Sequence, residues 1–219
     1  MSAMAWFEFT VFGGVLLLAG LFKPWLPLRH APLQHPWLAV LLLLPFVWWS
    51  RQLMPASLGL HLSGACLLVL MFGWPLAMWT VTLVGLGAAF LTQDDLPAMG
   101  PWVSQVVWMG LLPGTVALLL GLGIRRWLPH HLFVYILGRG FFTTVLSVSL
   151  VGVLGWLMGR KPDTWADGEW LLAHWLLGWG EAISTGMLTA IFVAFMPQWM
   201  LTYSDARYLH PPPPNDPST

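Results

Sequence analysis

Long apolar stretches separated by short polar or proline-containing breaks recur along the whole chain. The longer ones reach the length of a membrane-crossing helix, which needs about 20 apolar residues. None shows the alternating short strands of an outer-membrane barrel. The pattern therefore predicts about seven transmembrane helices, over Ala5–Phe22, Trp37–Trp49, Ser57–Phe72, Leu76–Leu91, Trp102–Ile124, Leu132–Met158 and Trp170–Met196.

The composition supports this all-α, polytopic membrane class. Hydrophobic residues make up 58% and charged residues 8% of the 219 residues, whereas a soluble domain carries roughly 25% charged residues. The net charge is zero, which does not indicate a nucleic-acid partner. The single cysteine, Cys66, excludes an intrachain disulfide. We expect one membrane domain over residues 1–209, with a retained first helix, and a disordered proline-rich tail over residues 210–219.

The charged residues between the spans predict an orientation. An odd number of spans places the two chain ends on opposite sides. One side then carries basic residues that lack acidic neighbours: Lys23, Arg29, Arg125, Arg126 and Arg207. Such an excess marks the cytoplasmic side, so we predict a bacterial inner-membrane protein with its N-terminus outside and its C-terminus in the cytoplasm. A re-entrant unit around Gly73 would change both the count and the orientation.

One polar stretch interrupts the apolar pattern at the start of the third predicted span. Ser57 is a candidate N-cap, and His61 follows about one turn into the predicted helix. Gly64 and Ala65 would share its face and allow another helix to approach closely. Ionisable groups in lipid usually face the protein interior and serve a function. His61 is therefore either a ligand or metal contact, or a histidine that bonds a neighbouring carbonyl.

A second group of polar residues falls within the last two spans. Glu181 lies near the middle of the seventh span, with His174 near the same face, and Arg139 lies in the sixth. Because an isolated charge is costly in lipid, we expect Arg139 and Glu181 to form an intramembrane pair. A structural ion pair is the favoured interpretation, and a functional cluster is the alternative. Glu8, near the outer end of the first span, is expected to reach water.

Signatures of several enzyme classes are absent. The sequence contains no His-Glu-x-x-His metalloprotease motif, no phosphate-binding loop and no Gly-x-Ser-x-Gly elbow. We therefore expect a protein that is not an enzyme, and any use of ATP would require a partner subunit.

Several motifs resemble those of one transporter family. The segments Ser57–Ala65 and Leu70–Ala77 are similar to the Gly-His-Leu-x-Gly-Ala and Gly-x-Trp-Pro-Ala motifs of CbiM/NikM-type proteins. The segment Glu181–Gly186 is similar to a Glu-Gly-x-x-Thr motif in their last helix. These proteins are the substrate-binding membrane subunits of energy-coupling-factor transporters for cobalt and nickel. Other stretches, Leu128–Phe142 and Pro197–Leu209, resemble a group of bacterial proteins described as such permeases.

The resemblance implies a metal site and a set of partners. In that family the N-terminal Met-His and a later helix histidine hold the ion, and His61 matches the latter. Here residue 2 is Ser2, so a residual site would combine His61 with the amino group, and the sulfur of Met1 or Met4 is a further candidate donor. Such donors suit a softer ion such as Cu(I).

Two functions follow from this comparison. The first is an energy-coupled capture subunit for Co, Ni or Cu, with a coupling membrane subunit and ATPase subunits as partners, membrane lipid around it and no tightly bound cofactor. The second is an accessory or assembly protein that keeps the scaffold without the metal site. An intramembrane enzyme built on Arg139, His174 and Glu181 ranks last.

Overall fold

The regular secondary structure is entirely helical in the computed structural model, which describes residues 3–50, 62–92, 98–129 and 131–208. This confirms the predicted all-α membrane class. The helices are α1 (Ala3–Leu21), α2 (Ala31–Ser50), α3 (Ala65–Phe72), α4 (Trp74–Thr92), α5 (Met99–Trp127), α6 (Val134–Leu157), α7 (Asp167–Phe195) and α8 (Asp205–Tyr208), with short 3₁₀ turns at Pro27–Arg29 and Pro197–Trp199.

Six of these helices are long and apolar enough to cross a membrane: α1, α2, α4, α5, α6 and α7. Large apolar side chains cover their outer faces, as Leu17 and Leu42 illustrate with about two thirds of their surface exposed (64% and 65%). Such a surface suits lipid and would be unfavourable in water. The chain is therefore a multi-pass membrane protein.

Contacts between helix ends define two sides of the bundle. On one, here called the N-side, the start of α1 meets the start of α5 and the end of α6 through Glu8, Ser104 and Arg160. On the other, the C-side, the end of α3 meets the segment after α7 through backbone bonds to Leu201 and Thr202. The start of α1 therefore lies on the N-side and the end of α7 on the C-side, so the chain enters and leaves the bundle on opposite sides.

The third predicted span differs from the expectation. The described residues Leu62–Gly64 are not helical, and α3 begins only at Ala65. Gly64 has a φ of 71°, a left-handed conformation that glycine adopts without a steric penalty. With eight residues, α3 is about 12 Å long and cannot cross a hydrocarbon core of about 30 Å. Gly64 therefore belongs to a turn before the helix and is not the helical packing residue that the sequence predicted.

Helix α3 is nonetheless the centre of the bundle. It packs against α4, α5, α6 and α7, and only its residue Leu67 is not fully buried. Gly73, with a φ of 76°, ends α3 and is followed directly by α4. Since α2 ends on the N-side and α3 ends on the C-side, α3 occupies the C-side half of the bundle.

Pro113 does not interrupt the helix that corresponds to the fifth predicted span. Helix α5 runs without interruption from Met99 to Trp127, with a π-helical segment at Val107–Leu111 directly before the proline. Proline has no N–H and its ring clashes with the carbonyl of the preceding turn. A wider π turn at that position accommodates the ring, so the helix continues.

Helices α6 and α7 lie in close contact because glycines alternate with larger side chains across their interface. Gly178 of α7 faces the backbone of Val145, and Gly152 of α6 faces the ring of His174. Small residues at such positions let membrane helices approach until their backbones touch. This contact holds α7, which carries Glu181, in a fixed register against α6.

Several of the predicted features lie outside the described residues. These are Met1, the candidate N-cap Ser57, His61 and the proline-rich tail at 210–219. The predicted domain boundary at residue 209 therefore stays a prediction.

A glycine pair on α7 tests this packing. A Cβ at Gly178 would lie 2.9 Å from the Val145 carbonyl oxygen, whereas a Cβ at Gly180 would meet nothing within 4 Å. We expect Gly178→Ala to destabilise the protein by about 1–3 kcal/mol, since the two backbones must separate. Gly180→Ala is the matched control and should leave thermal unfolding in detergent unchanged. Equal melting temperatures for the two variants would contradict the described contact.

Candidate functional site: a buried carboxylate beneath a helix start

Glu181 is the most deeply buried acidic side chain among the described residues, with 2% of its surface exposed. It lies near the midpoint of α7, fourteen residues after Asp167 and fourteen before Phe195. A carboxylate at this depth has no water to bond and therefore requires protein donors.

The donors are two backbone amides of the turn that precedes α3. Glu181 Oε2 accepts a hydrogen bond from the Ser63 N–H at 3.3 Å, and Oε1 accepts one from the Gly64 N–H at 3.1 Å. The first amides of a helix have no partner within the helix, and the positive end of the helix dipole favours a negative group there. Glu181 thus caps α3 from a different helix, across 117 residues of sequence.

The other polar groups of this turn are also satisfied. The indole N–H of Trp48, a fully buried residue of α2, donates to the Ser63 carbonyl at 3.0 Å. The Ser63 hydroxyl oxygen accepts from the Ala65 amide at 3.0 Å, and the Gly64 carbonyl accepts from Leu68. Buried backbone groups that all find partners hold a chain in one conformation. The turn is therefore fixed by α2, by α7 and by its own side chain.

The opposite end of α3 is fixed by tertiary contacts too. The amide of Leu201 donates to the Met71 carbonyl at 2.9 Å, and both the amide and the hydroxyl of Thr202 donate to the Leu70 carbonyl. Both ends of α3 are therefore capped by α7 or by the segment that follows it.

A small polar group near the carboxylate joins Cys66, in the first turn of α3, to Thr144 and Ser147 of α6. The Cys66 sulfur is 4.0 Å from the Pro113 carbonyl oxygen and neighbours the hydroxyls of Thr144 and Ser147. Those two hydroxyls donate to the carbonyls of Gly140 and Thr143 in their own helix. Their oxygens are therefore available as acceptors for the thiol.

Comparison with known proteins identifies one family. The profile of a family described as cobalt uptake substrate-specific transmembrane region, CbiM, matches residues 4–199. The chain belongs to this family. Neither the curated proteins nor the solved structures give a significant match.

Family membership confirms the resemblance drawn from the sequence and makes this chain a membrane component for cobalt or metal uptake. The family match spans α1 to the Pro197–Trp199 turn, so it includes Glu181 and the turn at Ser63–Gly64. Of the predicted ligands, His61 and Met1 lie outside the described residues, and Met4 is partly buried against the core.

The predicted ion pair between Arg139 and Glu181 is not formed. Among the described residues the ion pairs join Glu8 to Arg160 and Lys161 to Asp167. Glu181 instead accepts hydrogen bonds from the two amides of the Ser63–Gly64 turn. The expectation was wrong because backbone N–H groups, which no sequence pattern marks, replaced the guanidinium as the partner of the carboxylate.

His174 is separate from both charges. Its Nδ1 bonds the Trp170 carbonyl at 3.0 Å. Its ring lies tilted at 39° beside the Trp170 indole and packs against Gly152. This is the local, structural arrangement of an intramembrane histidine. The three polar residues grouped from the sequence therefore occupy three different environments.

A second buried carboxylate, Glu8, lies on the N-side. Its Oε1 accepts from Arg160 at 2.9 Å, from the Ser104 hydroxyl at 2.8 Å and from the Trp108 indole at 2.8 Å. The Arg160 guanidinium also lies over the Trp108 ring, 4.8 Å from its centroid. Glu8 is 7% exposed and does not reach water as expected from its position near the helix end. The cluster fixes the start of α1 against α5 and the end of α6.

The cysteine beside the turn reports on the Glu181 contact. We expect Glu181→Ala to leave the Ser63 and Gly64 amides unsatisfied and to increase local opening, so that Cys66 reacts with a permeant maleimide about tenfold faster than in wild type. Ser184→Ala is the control, because this partly exposed α7 residue bonds only the Gly180 carbonyl among the described residues. An unchanged Cys66 rate in Glu181→Ala would show that the carboxylate does not hold the turn.

A double-mutant cycle tests the Glu8 cluster. We expect Glu8→Gln and Arg160→Gln each to destabilise the protein by about 1–3 kcal/mol, since each leaves a buried group without its charged partner. The double variant should lose less stability than the sum of the two single variants. Asp167→Asn is the control, because Asp167 is 63% exposed in its pair with Lys161 and such pairs contribute about 0–1 kcal/mol. Strict additivity in thermal unfolding would refute the coupling.

Proposed function

We propose that this chain is the substrate-capture subunit of an uptake system for a transition-metal ion, and that other chains supply the coupling membrane subunit and the ATPases. Its membership of the cobalt-uptake family supports this proposal. The single observation that carries it is the clamp that Glu181 places on the Ser63–Gly64 turn, because that turn directly follows the histidine of the family motif in the sequence.

Covalent geometry links the clamp to the proposed ligand. His61 precedes Ser63 by two residues, and two residues of fully extended chain reach about 7 Å at most. A clamped Ser63 therefore limits the space that the His61 imidazole can sample. A fixed ligand loses less entropy when it binds an ion, which raises affinity. In this proposal Glu181 is a positioning residue and does not contact the ion.

The charge distribution supports an orientation with the C-side in the cytoplasm. Basic residues without an acidic partner among the described residues lie on the C-side: Lys23, Arg29, Arg125 and Arg126. On the N-side, Arg160 and Lys161 pair with Glu8 and Asp167. An excess of basic residues marks the cytoplasmic side. The N-terminus and the proposed capture region would then face the outside of a bacterial inner membrane.

One observation favours the alternative of an accessory protein. Residue 2 is Ser2, where the resemblance implies a histidine ligand, and no group of three His, Cys, Asp or Glu side chains that could hold a metal is found within the described ranges. A chain with fewer nitrogen donors would bind Co or Ni more weakly, and methionine sulfur would favour a softer ion such as Cu(I).

Metal binding by the purified full-length chain separates the two functions. We expect about one equivalent of Co, Ni or Cu after incubation and desalting, measured by elemental analysis, and metal-dependent uptake in cells. His61→Ala should weaken binding at least tenfold, and Glu181→Gln about 10-fold to 100-fold, as for residues that orient a ligand.

His35→Ala is the matched control, since His35 is exposed at the start of α2, and it should bind as wild type does. Failure to retain any of the three ions, or equal binding by His61→Ala and His35→Ala, would overturn capture and leave the accessory role.

A further inference from the structure

Arg139 has no counter-ion among the described residues, although it lies in a membrane-spanning helix. It is the sixth residue of α6, on the C-side. Its guanidinium lies over the Tyr135 ring, 5.3 Å from the centroid, and against the backbone of Gly121 in α5, where a Cβ would be 3.4 Å from Nε. The Nε atom is buried and has no hydrogen-bond partner within the described part of the chain.

This arrangement leaves most of the bonding capacity of Arg139 unused. A guanidinium carries five N–H donors and remains charged, and a single aromatic face stabilises it only partly. An arginine in a membrane usually faces a carboxylate, carbonyl oxygens or water. Arg139 therefore lacks the anionic group that such a position normally has.

A small, partly open recess lies beside this guanidinium. Arg125 lines it together with Arg139, and the rings of Tyr135 and Tyr208 contribute to its wall. Arg125 follows Gly121 by four residues, so both lie on the same face of α5. None of the described lining residues is acidic, and the remaining ones are apolar or proline. The recess thus combines two cations with an apolar wall.

Its place in the bundle identifies the kind of anion. The recess lies between the last turn of α5 and the first turns of α6, and Trp127, 81% exposed, and Phe133, 66% exposed, flank it in the sequence. Interfacial aromatic residues mark the headgroup level of a bilayer, and basic pockets between helices at that level suit lipid headgroups. We propose that the recess binds the phosphate group of an anionic phospholipid, with Arg139 and Arg125 as the charged contacts.

Free phosphate shares this chemistry, and the surroundings favour the lipid as its source. The apolar wall formed by Ile124, Leu128 and Val134 would contact the glycerol and upper acyl chain, which free phosphate lacks. The binding of such a lipid would join α5 to α6 at the C-side and stabilise the folded bundle. This site is independent of the proposed metal capture.

The test is thermal stabilisation of the full-length chain in a neutral detergent by dioleoylphosphatidylglycerol, with dioleoylphosphatidylcholine and inorganic phosphate as comparison ligands. We expect the anionic lipid to raise the melting temperature more than either. Arg125→Gln and Arg139→Gln should each weaken the apparent affinity about fivefold, as expected for one basic residue at a charged headgroup. Arg126→Gln is the matched control, because Arg126 is the next residue on α5 and does not line the recess.

Three results would overturn the proposal. Equal loss of affinity in Arg126→Gln and Arg125→Gln would indicate general surface charge, and equal stabilisation by phosphatidylcholine would indicate an apolar effect. Full stabilisation by inorganic phosphate alone would assign the site to a free anion. Should Arg139→Gln fail to fold, Arg125→Gln decides the matter, since Arg125 is exposed at the helix end.

Discussion

The hydrogen bonds from two backbone amides to the Glu181 carboxylate are the constraint on which the centre of this bundle depends. A half-length helix inside a membrane exposes unsatisfied amides at its start, in a place where water cannot reach them. The Glu181 carboxylate, from another helix, accepts hydrogen bonds from the two amides directly before α3. The same two bonds provide the buried carboxylate with the partners that it requires. Without Glu181, α3 would need another group to begin where it does, and without the turn Glu181 would be an isolated buried charge.

The short helix α3 connects the middle of the bundle to its C-side through hydrogen bonds at both of its ends. Its start is held by Glu181 and Trp48, and its end by Leu201 and Thr202. The Thr202 hydroxyl donates to Leu70 and accepts from the Tyr135 hydroxyl at 2.8 Å. Tyr135 in turn lies against Arg139 at the proposed lipid recess. The same helix therefore contacts the surroundings of both proposed sites.

The sequence predicted the class and seven spans, of which six correspond to long helices, because apolar length is a local signal. It also singled out the Glu181 and Ser57–Ala65 segments, because intramembrane ionisable groups are rare. It did not predict which groups meet. Ser63-Gly64 before an apolar run also fits a helix start, yet the glycine was interpreted as a packing residue in a helix that began earlier. The Glu8–Arg160 pair joins residues 152 positions apart, although an acid and a base at the same side of the bundle could have indicated it. Arg139 was assigned the wrong partner because the donors to Glu181 are backbone amides, which every residue but proline carries.

The most direct test of this account is amide hydrogen exchange of the Ser63 and Gly64 N–H groups in the detergent-solubilised protein, compared between wild type and Glu181→Gln. We expect the two amides to exchange slowly in wild type, at rates comparable to those of the amides in the core of α4. In Glu181→Gln they should exchange at least tenfold faster, while exchange in α4 stays unchanged. Rapid exchange of both amides in wild type, or equal protection in the variant, would contradict the claim that the buried carboxylate holds the start of α3.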